Sequence, residues 1–203
     1  PLLWRGGKIF VENFDGVVKN ICALCVLKNM ENQFLGNQHF NISNQVVSAT
    51  CPSNIALIKY WGKYANQIPA NPSISYTLNH CNTQTSMEFF ADEPFSVQTF
   101  LAGNEEVKFA EKIEKYFKNI EQYLPWILKG KYVIKTENTF PHSSGIASSA
   151  SGFGAIASCL MELDKNFSSE IRDASYDLKK ASFLARLGSG SACRSLYNGL
   201  VVW

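Results

Sequence analysis

Apolar and polar residues alternate along several stretches of the chain, and each stretch gives way to a wider spacing. "QVVSATC", from Gln45, has the alternation and β-branched content of a strand. "TQTSMEFF" and "FSVQTFLAG" read as two more strands, with "ADEP" as the turn between them. Steps of three and four then take over: Val107, Ala110, Ile113, Phe117, Ile120 and Leu124 mark an amphipathic helix with an acidic first turn. "KYVIKTEN" returns to a strand, Gly145 to Leu163 is a helix by its apolar back half, and "YDLKKASFLARL" is another. The closing "NGLVVW" reads as a strand. No internal repeat is visible, and the class is mixed α+β.

Residues 1–45 lack a period. "MENQFLGNQHFNISNQ" is rich in amides, so 1–45 reads as an extension and 46–203 as the folded domain. The triplet at Asn41 matches a glycosylation acceptor, without other signs of secretion.

Composition narrows the class. The 203 residues suit one large domain or an incomplete two-domain protein. With 46% hydrophobic and 18% charged residues, the chain can bury a core. A net charge of +2 argues against nucleic acid or an anionic membrane as partner, so any phosphate recognition must be local. No apolar run approaches the roughly 20 residues of a membrane span. "ICALCVL" is short and lacks a following cleavage site of the signal-peptide kind. Cys22 and Cys25 have metal-ligand spacing, but zinc needs two more ligands and the nearest downstream histidine is His39. Cys51, Cys81, Cys159 and Cys193 are scattered, as in a reducing cytosol. The chain opens on Pro1 and stops inside a strand-like run, which suggests a fragment with apolar surface exposed at "GLVVW".

Three stretches suggest anion chemistry. The first is "FPHSSGIASSASGFGAIASCL", Phe140 to Leu160. A helix start leaves N–H groups unpaired and carries partial positive charge, which phosphate oxygens satisfy where small residues let them approach. Serine hydroxyls add donors and Mg²⁺ ligands. The stretch therefore reads as a polyphosphate cradle, but not a P-loop, since no lysine precedes the hydroxyl residue. A small-residue helix packed closely on a neighbour explains the same composition.

The second is "ARLGSGSACRSL". Gly188 suits a helix end, and Ser189 and Ser191 stand at a new helix start with Arg194 one turn on. Two hydroxyls and a guanidinium suit a phosphate or carboxylate, while capping and a surface salt bridge are the plainer roles. The third is "NIALIKYWGK". In a strand, Lys59, Trp61 and Lys63 share one face with Tyr60 opposite, unless Gly62 breaks the alternation. This is either a pocket wall for an anionic substrate or a strand end with solvated lysines and a core tryptophan.

Together "NIALIKYWGK" with "NPSISYTL", "ENTFPHSSGIASSASGFGAIAS" and "ARLGSGSACRSLYNGLVVW" resemble the mevalonate diphosphate decarboxylases of the GHMP kinase superfamily. The resemblance runs from about Val46 to Trp203 and implies a GHMP kinase-like N-terminal lobe, with a βα fold also met in a ribosomal protein. It implies a cytoplasmic enzyme of isoprenoid synthesis that uses ATP and Mg²⁺ to phosphorylate and decarboxylate mevalonate 5-diphosphate. On the matching positions, Tyr60, Lys63, Ser189 and Ser191 are implied substrate contacts. Arg194 is the implied holder of the carboxylate, Asn54 its support, and Lys59 a cation near the reacting hydroxyl. Gly145, Ile146 and Ala147 are the implied backbone cradle for ATP, and Ser148 and Ser149 the phosphate and Mg²⁺ serines. Family members are often homodimers.

The family's catalytic aspartate lies in a later "DAGPN"-like motif that this sequence does not contain, so negligible turnover is expected of residues 1–203 alone. Asp164, Asp173 and Asp177 stand in no such context. Two alternatives are a paralogue that phosphorylates the 3-hydroxyl without decarboxylation, or acts on the monophosphate, and a non-catalytic nucleotide-binding domain. A nucleic-acid binder of the same fold would need a broad basic face that the chain lacks.

Overall fold

The computed structural model describes residues 31–141 and 146–203, together with the backbone of the short strands β1 (Leu2–Arg5), β2 (Lys8–Val11) and β3 (Asn20–Ile21). Cys22, Cys25 and Gly145 lie outside the described residues. The main strands are β4 (Gln45–Ile58), β5 (Ile74–Phe90), β6 (Ser96–Leu101), β7 (Asn104–Glu105), β8 (Lys131–Asn138) and β9 (Leu200–Val202). The helices are α1 (Val107–Ile120), α2 (Ser148–Phe167), α3 (Ala174–Gly188) and the single turn α4 (Ala192–Ser195).

Period-2 patterning sets the sheet register, because a slip of one residue would turn the apolar set outward. Val47 pairs with Met87, Met87 with Ile134 and Ile134 with Thr99, forming one inward row. Gln45, Phe89, Tyr132 and Val97 form the next row. The alternate row, Ser48, Ser86 and Lys135, is polar and faces away from the core. α2 packs on β4 and β5, α3 on α2, and α1 on β6 and α3. The core between these layers holds Trp126, Tyr132, Phe117, Phe153 and Phe183, all buried.

Several expectations are corrected. The strands flanking "ADEP" do not pair with each other: β8 lies between them, antiparallel to β5 and parallel to β6. α1 starts after Glu105 and Glu106, so its first turn is not acidic, and Leu124 belongs to the turns that follow. "GLVVW" is not exposed. β9 pairs with Ile74–Tyr76 of β5 and with β3, and Val201, Val202 and Trp203 are buried. Within the expected extension, Phe34 is fully buried against Phe183 and Tyr176.

β5 is the longest strand, and its second edge is shared. β8 takes residues 83–90 and β9 takes 74–76. α4 and the start of α2 lie against β4, so the three small-residue and basic stretches of the sequence meet.

Candidate functional site

β4 ends at Ile58, so the expected alternation of Lys59, Trp61 and Lys63 in a strand does not occur. The chain turns at Gly62, whose φ of 86° favours glycine. Asn71 staples the turn: its Oδ1 accepts from Trp61 N at 2.6 Å and its Nδ2 donates to the Lys59 carbonyl at 3.3 Å. Trp61 is 80% exposed, so it is not the core tryptophan of the plainer alternative.

A cleft of about 400 Å³ opens beside this turn. Asn54, Lys59, Tyr60, Ala147, Ser191 and Arg194 line it, with Ile55 and Ala56, and no carboxylate is among them. Among the described residues its lining thus brings two cations together, which suits a carboxylate or phosphate.

Arg194 is 2% exposed, on α4. Its Nη1 donates to the Ser73 hydroxyl at 2.6 Å, and its guanidinium carbon stands 5.3 Å from the Trp203 ring. Asn54 bonds the residues flanking Arg194 along the chain: Nδ2 donates to the Ser191 carbonyl at 3.1 Å and to the Ser195 hydroxyl at 2.7 Å. Trp203 meets Tyr60 edge-on at 4.8 Å. Main-chain bonds in both directions, 2.7 and 2.8 Å, join Trp203 to Ser73.

Lys63 and Ser189 do not line this cleft but stand next to it. Lys63 Nζ donates to Gln67 Oε1 at 2.6 Å and lies 5.6 Å from the Tyr60 ring. Between Ser189 and Ser191, Gly190 comes so close to the turn that a Cβ there would be 3.4 Å from Lys63 Nζ, 3.3 Å from Gln67 Oε1 and 3.0 Å from the Trp203 ring. The second and third sequence motifs are therefore in contact.

On the other side of Ala147 a second cleft, about 350 Å³, is lined by Ser148, Ser149, Asn138, Thr83, Lys108 and Lys112, among others. α2 begins here, at Ser148, later than the expected Gly145, with no side chain capping its first turn. A helix end of this length, two seryl hydroxyls and two lysines, with Glu106 as the carboxylate in the same lining, offer donors and positive charge to a polyanion. Ile146 and Ala147 lead into that turn, and Ala147 lines the first cleft. The turn is braced from behind. Ser53 Oγ donates to the Ala147 carbonyl at 3.1 Å, and Thr83 Oγ1 bonds Ser151 Oγ at 2.6 Å and Asn138 Oδ1 at 2.7 Å. Among the described residues no group of three histidine, cysteine or acidic side chains could hold a metal.

Sequence reasoning missed Ser73, Gln67, Trp203, Lys108 and Lys112. Ser73 sits inside the quoted "NPSISYTL", and the two lysines fall at the start of α1, facing the serines only once the sheet is assembled.

Residues 51–203 match a family described as the diphosphomevalonate decarboxylase-like N-terminal domain. The chain is 38% identical over 168 residues to the diphosphomevalonate decarboxylase of Candida albicans, covering 77% of this chain and 44% of that one. It is 37% identical to that of Saccharomyces cerevisiae, covering 77% of this chain and 41% of the relative. Among solved structures, mevalonate diphosphate decarboxylase from Staphylococcus aureus superposes with a TM-score of 0.67 at 36% identity, over 79% of this chain and 46% of that one. Another neighbour, TM-score 0.64 and 33% identical over 79% of this chain and 47% of its own, is a complex with MVAPP, AMPPCP and magnesium. The chain thus spans less than half the length of these relatives.

Proposed function

The chain belongs to the diphosphomevalonate decarboxylase-like N-terminal domain family, and on that premise we propose that it forms the substrate-gripping lobe of an ATP-dependent decarboxylase of mevalonate 5-diphosphate. One observation carries the reading. Ala147 lines the Arg194 cleft and the next residue, Ser148, lines the second cleft, which supports a nucleotide triphosphate at Ser148 and Ser149 beside an acidic substrate at Arg194.

The roles follow from placement. Ser148 and Ser149 donate to the nucleotide phosphates, with Lys108 and Lys112 as countercharges. The seryl hydroxyls suit Mg²⁺ carried in on the nucleotide, an ion that neutralises charge on a transferring phosphoryl group. Tyr60, Lys63, Ser189 and Ser191 take the substrate diphosphate, and Lys59 stands near the 3-hydroxyl. Arg194 orients the carboxylate. Once the phosphorylated tertiary hydroxyl departs as phosphate, the electron pair of the breaking C–CO₂ bond forms the new double bond of isopentenyl diphosphate. Arg194 aids this by position, without covalent catalysis. The free thiols Cys51, Cys81, Cys159 and Cys193 are in keeping with a cytoplasmic setting.

Among the described residues the cleft around Arg194 is lined by no Asp or Glu to accept the 3-hydroxyl proton. The 203-residue chain is therefore expected to bind without turning over. Calorimetry with mevalonate 5-diphosphate, and separately with Mg-ATP, tests the binding, and a coupled ATPase assay with phosphate and CO₂ release tests the turnover. Heat that vanishes in Arg194→Ala for the acid and in Ser148→Ala with Ser149→Ala for the nucleotide supports the reading. Binding of neither ligand rejects it, and turnover at an intact enzyme's rate rejects the need for a further carboxylate.

A further inference from the structure

Residues 31–36 lie outside the 51–203 stretch matched by the family, yet they are built into the domain. Phe34 is fully buried and stacks on Phe183 at 5.1 Å. The Gly36 amide donates to the Gln122 carbonyl at 3.0 Å, and the Tyr176 hydroxyl donates to the Gln33 carbonyl at 3.1 Å. These anchors fix Glu31, whose carboxylate then forks. One oxygen accepts from Arg186 Nη2 at 3.0 Å, and the other from Asn66 Nδ2 at 3.0 Å.

The two partners belong to the two segments that meet at Gly190, the turn that carries Lys63 and Gln67 and the end of α3 that leads to Ser189. Arg186 is 3% exposed in the last turn of α3, three residues before Ser189. Asn66 is in the turn after Lys63, and both Asn66 (φ 58°) and Gln67 (φ 60°) hold left-handed backbone. Two successive non-glycine residues in that region persist only where surrounding contacts enforce them. Gln67 is the residue that fixes Lys63, at 2.6 Å. The turn's own main-chain bonds, Tyr64 N to Ile68 O at 2.7 Å and Ala70 N to Gly62 O at 3.1 Å, close it locally. Glu31 ties it to α3.

From this we infer that Glu31 is a positioning residue for the anion pocket, setting the spacing between the Lys63–Gln67 turn and the Ser189–Ser191 turn. The inference rests on the reading of that pocket as a diphosphate site. The alternative is that Glu31 only neutralises Arg186. The Asn66 bond separates the two, since it can be cut while the ion pair stays.

The test uses the whole 203-residue chain with Glu31→Ala, Asn66→Ala and the double variant. Inorganic pyrophosphate is titrated by calorimetry, and hydrogen exchange is followed at the Tyr64 and Ala70 amides. Asn66→Ala, with the ion pair intact, is expected to lose a few degrees of melting temperature at most, from an alanine in left-handed backbone, to weaken pyrophosphate about tenfold and to speed exchange at both amides about tenfold. The double variant is expected to bind no worse than Glu31→Ala, because both changes cut one contact. Unchanged affinity in Asn66→Ala overturns the inference, whether or not exchange quickens. If Glu31→Ala does not fold, Asn66→Ala decides alone. A wild-type chain that takes up no pyrophosphate rejects the diphosphate reading, and the inference with it, even where faster exchange proves the tether.

Discussion

The Ser73 hydroxyl accepts a 2.6 Å hydrogen bond from Arg194 Nη1 although 121 positions separate the two residues. Ser73 is itself fully buried, so the bond is sheltered from water. It fixes the direction of one arm of the guanidinium at the edge of the cleft that Arg194 lines. Replacing Ser73 with alanine leaves a buried charged donor short of a partner, a cost of about 1–3 kcal/mol. Ser73→Ala is expected to weaken a carboxylated ligand, mevalonate 5-diphosphate, roughly tenfold. Inorganic pyrophosphate, which has no carboxylate, is expected to lose little. Calorimetry with both ligands checks this, and equal losses for the two would show that Ser73 serves only the fold.

What the sequence disclosed and what it hid divide along contact range. The strand faces were readable because one face of the sheet is buried: Val47, Met87 and Ile134 each keep the alternation of their own strand. α1 was readable from Ile113, Phe117 and Ile120 alone. Neighbour order was hidden, since nothing local to β6 says that β8 will come between it and β5. In the site, the hydroxyls of Ser148 and Ser191 and the charge of Arg194 stand out as residue types. Their supports do not. Gln67 and Trp203 look ordinary until folding brings them against Lys63 and Arg194. Glu31 looks like part of an amide-rich extension, and its partner Arg186 is 155 positions away. Gly188 ends α3, but its backbone there is not left-handed. It is small because a Cβ would run into the Phe153 ring.

That difference between two neighbouring glycines can be measured. Gly188→Ala forces overlap with a buried ring and is expected to destabilise by about 1–3 kcal/mol, or several degrees in melting temperature at roughly 2–4 °C per kcal/mol. Gly190→Ala meets the Trp203 ring at 3.0 Å and Lys63 Nζ at 3.4 Å, contacts that a slight shift relieves. It is expected to change the melting temperature little and to weaken pyrophosphate by moving Lys63. Calorimetric melting and ligand titration on both variants separate core packing from the site. A Gly190→Ala variant that melts early yet binds normally would reverse the assignment.

Burial pushes the thiols of Cys51 and Cys159 up from 9.0 to about 12. The folded chain keeps these protons where the unfolded chain releases them. Their contribution to stability is therefore complete below about pH 9 and is lost as pH rises toward 12. Each thiol can add a slope of at most about 1.4 kcal/mol per pH unit. Lys180 acts in the opposite sense. Burial lowers its pKa from 10.5, so its contribution improves as pH climbs toward that value. Urea midpoints at pH 8, 9 and 10 are expected to fall for the wild type. They should fall less steeply in a Cys51→Ala, Cys159→Ala variant, whatever its stability at pH 8. Equal slopes would mean the thiols titrate alike in both states.

Asp164, which has the residue type of a general base, sits instead in a closed ionic cluster away from both clefts. Its Oδ1 accepts from Trp126 Nε1 at 2.7 Å, and its Oδ2 from Arg172 Nη1 at 2.6 Å and Lys180 Nζ at 3.2 Å. Lys180 is 2% exposed, so removing the carboxylate strands a buried ammonium. Asp164→Ala is expected to cost about 3–5 kcal/mol, a fall of roughly 10 °C in melting temperature. Lys180→Met is expected to cost far less, because an apolar chain replaces the charge while Arg172 still pairs with Asp164. Below its melting temperature Asp164→Ala should bind pyrophosphate as the wild type does. A variant that kept its melting temperature and lost binding would move Asp164 from the scaffold to the site.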